Sequence, residues 1–190
     1  MGLQSIVMAL QAYHDHHGSL PPATFTDETT GNVHSWRVLL LPYLDQPAAL
    51  ESYRFDEPWD SPHNIDIAEK VSLVLTCPAA RSNSAPGTTS YVAVVGPGSA
   101  WDAGSVQGVL RPAQNAPMIL VEVSSIQVGC FEPRDFDLGR LPKNAQTIAD
   151  TMISSDHRGS GANVAFLDGE VTFLSIETSI AEFNALVEGN

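Results

Sequence analysis

Apolar residues recur at helical spacing from Leu3 to His17, with Leu3, Ile6, Val7, Leu10 and Tyr13 on one stripe and Gln4, Gln11 and Asp15 off it. Gly18 suits a helix C-cap, and Pro21-Pro22 forbids continuation, so the pattern predicts a first helix over Leu3 to His17. The dense run Ser35 to Leu44, broken by Pro42, predicts a short strand or a short helix, and its length does not choose between them. Gln46 to Tyr53, with Pro47 in the first turn, predicts another short helix, and Asp56 to Asn64 a loop crowded with aromatic, proline and acidic residues.

Further along, the β-branched density of Val71 to Cys77 predicts a strand, followed by a polar loop from Pro78 to Thr88. Tyr91 to Val95 predicts a strand ended by Gly96-Pro97-Gly98, and Met118 to Val123 a fully buried one. Phe131 to Pro142 reads as a loop. Ser179 with Glu182 three residues later predicts a capping box, opening a short last helix with Ile180, Phe183, Leu186 and Val187 on its apolar face.

Between these lies Ser154 to Leu174, a His followed by a Gly-rich run and then alternating residues around Asp168-Gly169. That dipeptide tolerates the positive φ angles of a two-residue hairpin turn. Such a turn sets Leu167 opposite Glu170, Phe166 opposite Val171, Ala165 opposite Thr172 and Val164 opposite Phe173. Val164, Phe166, Val171 and Phe173 are then expected to share a core-facing side.

At 190 residues, 43% hydrophobic and 16% charged, the chain suits one globular domain over residues 1–190. Nine basic against 22 acidic residues, net −13, exclude a nucleic-acid backbone as partner, since phosphates need a Lys/Arg surface. The same acidity disfavours anionic membrane surfaces, and no run of eighteen apolar residues is present. Acidity favours solubility outside the cytoplasm, with cation binding by clustered carboxylates as the competing reading.

Candidate chemistry narrows quickly. Two cysteines, Cys77 and Cys130, permit a single disulfide and exclude a four-cysteine zinc site or a redox pair. His14 and His17 sit three apart on the first helix, yet no third ligand accompanies them, so no metal site is assigned. Gly96-Pro97-Gly98-Ser99-Ala100-Trp101 lacks the last glycine of a dinucleotide loop. Gly159-Ser160-Gly161 lacks the spacing of a nucleophile elbow, which leaves no catalytic residue to name and no cofactor to expect. Asp156 and Asp168 with loop carbonyls are a cation alternative. Trp36, Trp59 and Trp101 suit core or loop anchoring, with a stacking groove as the alternative.

Several motifs together carry a resemblance. Tyr13-His14-Asp15, Gly18, Pro21-Pro22, Trp36-Arg37, Leu40-Leu41-Pro42-Tyr43-Leu44, Pro58-Trp59-Asp60, Asn64, Cys77-Pro78, Tyr91, Ala93, Gly96-Pro97-Gly98, Glu122, Pro133 and Asp135 occur in the order found in a large family of bacterial prepilin-like proteins abundant in planctomycetes. The end of the chain resembles that family's C-terminal signature through His157, Ala162-Asn163-Val164, Phe166 and Asp168-Gly169, with ten residues rather than nine between the His and the Asp. The resemblance implies an α+β, pilin-like fold, with an N-terminal helix packed on an antiparallel sheet and a C-terminal hairpin and short helix.

It also implies a non-enzymatic, pseudopilin-like subunit of a pilus or type II secretion-like system, assembled with other pilin-like proteins. Its globular part would be extracytoplasmic, and the precursor would be anchored in the inner membrane by an apolar helix upstream of Met1. The mid-helix character of Leu3 onwards agrees with a natural protein that begins earlier. His157, Asp168 and Gly169 would be structural signature residues, His157 holding the Gly-rich loop to a strand or carboxylate. The alternative is a membrane-anchored binding module for a glycan, peptide or divalent cation.

Overall fold

The computed structural model describes residues 2–80, 84–102, 116–155 and 160–190. Helix α1 (Leu3–His17) has the predicted bounds and ends at Gly18, whose φ of 76° is the left-handed conformation expected of a C-cap. A small antiparallel pair follows, β1 (Thr24–Thr26) with β2 (Val33–Ser35). The run left open between strand and helix then resolves into one helical turn, α2 (Trp36–Leu39), and a 3-10 turn, Leu41–Leu44, with Pro42 near its start where its missing N–H costs nothing. Helix α3 (Pro47–Ser52) is the short helix predicted there.

The predicted strand over Val71 to Cys77 is not formed. Val71 to Leu75 are instead the end of a helix, α4 (Pro62–Leu75), with Thr76 and Cys77 just beyond it; the helix also takes in Asn64, assigned to a loop by the sequence. Ser61 caps it through its hydroxyl, which accepts from the Asn64 N–H at 3.2 Å, and Pro62 occupies its first turn. Asn64, Ile67, Ala68, Val71, Ser72 and Leu75 are buried, a period of three to four. The β-branched density of Val-Ser-Leu-Val-Leu is weak against a capped start and a helical stripe already running into it.

Strands β3 (Thr88–Thr89) and β6 (Val128–Gly129) form a second small antiparallel pair. The main sheet holds β4 (Tyr91–Val95), β5 (Met118–Glu122), β7 (Phe136–Asp137), β8 (Gly161–Phe166) and β9 (Val171–Ser175) in the order β7-β4-β5-β8-β9. All neighbours are antiparallel except β4 and β7, which run parallel. The segment read as a loop from Phe131 to Pro142 thus supplies an edge strand and a 3-10 turn at Leu138–Arg140. Helix α5 (Ile180–Glu188) closes the chain, the Ser179 hydroxyl accepting from the Glu182 N–H at 3.2 Å.

The fold is therefore α+β, with the sheet covered on both sides. Tyr91 and Ala93 of β4 join Leu3, Ile6, Val7 and Leu10 of α1 in one core, while Val92 and Val94 join Phe183 and Val187 of α5 in the other. Double coverage explains why Tyr91 to Val95 is apolar throughout. A register shift between Met118 and Leu120 in β5 sends Ile119 and Leu120 both to the α1 side. Gln11 also ties α1 to the hairpin, its Nε2 donating to the Leu167 carbonyl at 2.7 Å.

The hairpin differs from the sequence expectation by one residue. Ala165 pairs with Val171, Val164 with Thr172 and Asn163 with Phe173. The Gly169 N–H donates to the Phe166 carbonyl at 3.0 Å and the Phe166 N–H to that of Glu170 at 2.9 Å, so Leu167, Asp168 and Gly169 form a three-residue loop. Only Gly169, at φ 95°, is left-handed, the arrangement of a turn followed by a bulge. A one-residue slip exchanges faces. Val164 stays buried and Phe166 is half-buried, but Val171 and Phe173 are 39% and 45% exposed, and Leu174 takes the core position instead.

Candidate functional site

The most connected polar group in the fold is Arg37. The Ser35 hydroxyl caps α2 by accepting from the Arg37 N–H at 3.3 Å, which sets Trp36 and Arg37 in the first turn, both fully buried. The guanidinium donates to the Tyr91 carbonyl from Nε (3.2 Å) and Nη2 (3.1 Å), to the Ser35 hydroxyl (2.9 Å), and to the carbonyls of Glu132 (3.3 Å) and Arg134 (3.4 Å). Its charge is met by Asp135, 2.6 Å away and 4% exposed. Asp135 also accepts from the Trp36 indole N–H at 3.2 Å and the Ala93 N–H at 2.8 Å. Arg37 Cζ lies 4.7 Å from the Trp36 ring centroid. With its fork of donors engaged, this pair has no capacity left for a substrate.

A second buried group sits at the end of β5. Glu122 Oε2 accepts from Asn163 Nδ2 at 2.8 Å and from the Asn163 N–H at 3.3 Å, joining β5 to the start of β8. The Cys77 thiol is pushed up, first by burial and then by a hydrogen bond to Glu122. Cys130 is buried too, its thiol donating to the Thr88 carbonyl at 3.0 Å and pushed up to about 12 by burial. The two cysteines are separate thiols in this fold, so the single disulfide that the sequence permits is not formed. Neither is an activated nucleophile, since the thiolate is disfavoured in both.

Asn64 makes a third knot. Its amide donates to the carbonyls of Arg54 (3.0 Å) and Pro58 (2.9 Å) and accepts from the Arg54 N–H (3.0 Å), shaping the Pro58-Trp59-Asp60 loop. Trp36 is buried, while Trp59 and Trp101 are half-buried, Trp101 donating its indole N–H to the Pro21 carbonyl at 2.7 Å. Trp36 and Trp101 pack with centroids 5.9 Å apart, so a stacking groove would lack the fully covered Trp36 face.

Of the signature residues, Asp168 and Gly169 are placed at the hairpin loop, where Asp168 Oδ1 accepts from the Glu170 N–H at 3.0 Å. His157, and Asp156 of the cation alternative, lie outside the described residues. His16 and His17 flank the Tyr43 hydroxyl at 2.8 and 3.2 Å at the exposed end of α1, and Tyr13 stacks on His17. Among the described residues no three His, Cys, Asp or Glu side chains are grouped to hold a metal ion.

One residue escaped the sequence reading. His34 is fully buried, with Nε2 at 3.0 Å from the Phe55 carbonyl and Nδ1 at 2.8 Å from the Tyr53 hydroxyl. A carbonyl only accepts, so Nε2 carries the proton and Nδ1 accepts from Tyr53. Burial holds the imidazole below its usual pKa and the Tyr53 phenol well above its own. A His between Val33 and Ser35 in a three-residue strand offers no periodic signal. Two surface clefts lie apart from His34: one of about 320 Å³ beside Phe136 and Met152, its rim carrying Arg134, Asp135, Asp137, Arg140 and Asp150, and one of about 200 Å³ beside Pro97, Val187 and Glu188.

The polar motifs thus define a structural class, an α+β domain whose motif residues tie its elements together. The chain belongs to a family described as proteins of unknown function, DUF1559, whose model matches residues 2–117. No curated protein and no solved structure matches the chain.

Proposed function

We propose that this protein is a non-enzymatic, pseudopilin-like structural subunit whose globular domain works outside the cytoplasm and is held to the inner membrane by an apolar helix upstream of α1. The observation that carries the reading is α1 itself, laid along one face of the sheet with Leu3, Ile6, Val7, Ala9 and Leu10 buried, the geometry of a stalk helix continuous with a head domain. The saturated bonding of Arg37, Asp135 and Asn64 supports a role without chemistry, since a catalytic group needs free capacity towards a substrate.

Fractionating cells that express the native gene tests this. The expected result is membrane-bound protein that, on action of a prepilin peptidase, gains a new processed N-terminus and is cross-linked to other pilin-like subunits. Protein recovered from the cytoplasm, unprocessed and without cross-links, refutes it.

A further inference from the structure

Among the described residues, the outer strand of the main sheet, β9, ends it without any of the devices that usually blunt an edge. Val171–Ser175 reads Val-Thr-Phe-Leu-Ser, with no charge, no proline and no register shift against β8. The Phe166 N–H donates to Glu170 and the Ile176 N–H to Ser160, so the even-numbered residues of β9 carry the ladder to β8. The N–H and C=O groups of Val171 and Phe173 and the N–H of Ser175 therefore point away from the sheet. The Ser175 carbonyl is already taken by the Thr178 N–H, and the Ile176 carbonyl by Ala149, so the open stretch is bounded.

On the face shared with Ala165 and α1, Val171 and Phe173 are 39% and 45% exposed and form an apolar row beside these open backbone groups. Exposed carboxylates frame the stretch: Asp168 and Glu170 at the loop end, Glu177 and Asp150 at the other. A chain of net charge −13 that set this edge against its own copy would bring those carboxylates together.

We infer that β9 is a docking edge for an extended segment of another protein, apolar at alternate positions and basic at both ends, which adds a strand to the sheet. Backbone bonds to Val171, Phe173 and Ser175 supply register, the Val171–Phe173 row takes the apolar side chains, and the flanking carboxylates take the basic ends. The inference gives a contact surface to the assembly reading above and rests on it only in expecting a protein partner.

The probe is a labelled peptide, acetyl-Lys-Lys-Val-Thr-Val-Thr-Val-Lys-Lys-amide, titrated into the purified chain with amide exchange followed by NMR. Saturable binding is expected, with the Val171, Phe173 and Ser175 amides passing from fast to slow exchange while Thr172 and Leu174 are protected throughout. The variants F173P, which deletes one outward N–H, and V171K, which places a like charge against the peptide, should each weaken binding about tenfold. Absence of binding, binding without protection of those three amides, or equal binding of the peptide with Glu in place of Lys overturns the inference. Protection that appears without peptide and grows with protein concentration assigns the edge to a second copy and overturns it too. All are read on the isolated chain, so they leave the processing and cross-linking test of the assembly reading independent.

Discussion

Removing the Asp135 carboxylate should be among the most damaging single changes in this fold. In D135A the Arg37 guanidinium, itself fully buried, keeps its carbonyl and hydroxyl partners but loses the counter-charge of Asp135. The Trp36 indole N–H and the Ala93 N–H lose their acceptor in the same step. Breaking a buried ion pair from one side costs about 3–5 kcal/mol, because the remaining charge is left uncompensated. For a chain of this length each kcal/mol moves the midpoint by roughly 2–4 °C, so thermal unfolding followed by circular dichroism should fall by about 6–20 °C. The double variant R37M/D135L removes both charges and should unfold above D135A. A D135A cost under about 1 kcal/mol, the range of an exposed pair, would refute the claim that this pair organises the core.

Other consequences follow from the same geometry. His34 is held below its usual pKa in the folded state, so the unfolded chain binds more protons between the folded and unfolded values. Its contribution is complete above about 6.5 and is lost as pH falls below that; the urea midpoint of the wild type should drop across this window more steeply than that of H34F, and parallel curves would count against it. At Gly161 an added Cβ would overlap the Leu174 carbonyl and sit 2.7 Å from the Phe173 ring, whereas at Gly169 it meets nothing within 4 Å and suffers only from the φ of 95°. G161A should therefore cost about 1–3 kcal/mol or more and G169A about 1–2 kcal/mol, with the reverse ranking in chemical denaturation refuting the hairpin geometry. Cys77 and Cys130 should react with a thiol reagent only after unfolding, and two thiols should then be counted without reductant. Fast labelling of the native protein, or a mass two hydrogens short of the reduced chain, would contradict that arrangement.

Local chemistry carried part of the fold into the sequence. The bounds of α1, the left-handed Gly18, the strands at Tyr91 and Met118 and the Ser179 cap were all legible, because each depends on a few neighbours and one period. Two errors had local causes as well. Ser61 and Pro62 start α4, and the helical stripe they begin carries through the β-branched residues at its end against their local strand preference. Asp168-Gly169 suits both a two-residue turn and the three-residue loop that forms, and the choice between them turned Val171 and Phe173 outwards.

The candidate sites were legible only as residue types. Arg37 and Asp135 stand 98 positions apart, and Glu122 and Asn163 stand 41 apart, so no spacing rule links them. The sequence by itself determined the bounds of α1, the starts of the strands at Tyr91 and Met118 and of α5, that the chain is acidic, and that it lacks the spacing of the catalytic and metal motifs considered above. Only the tertiary structure decided what the polar residues are for. A charge or amide has no fixed role until burial removes water and distant backbone supplies its partners, and here that turned the motif residues into internal ties and left the edge of β9 open to a partner.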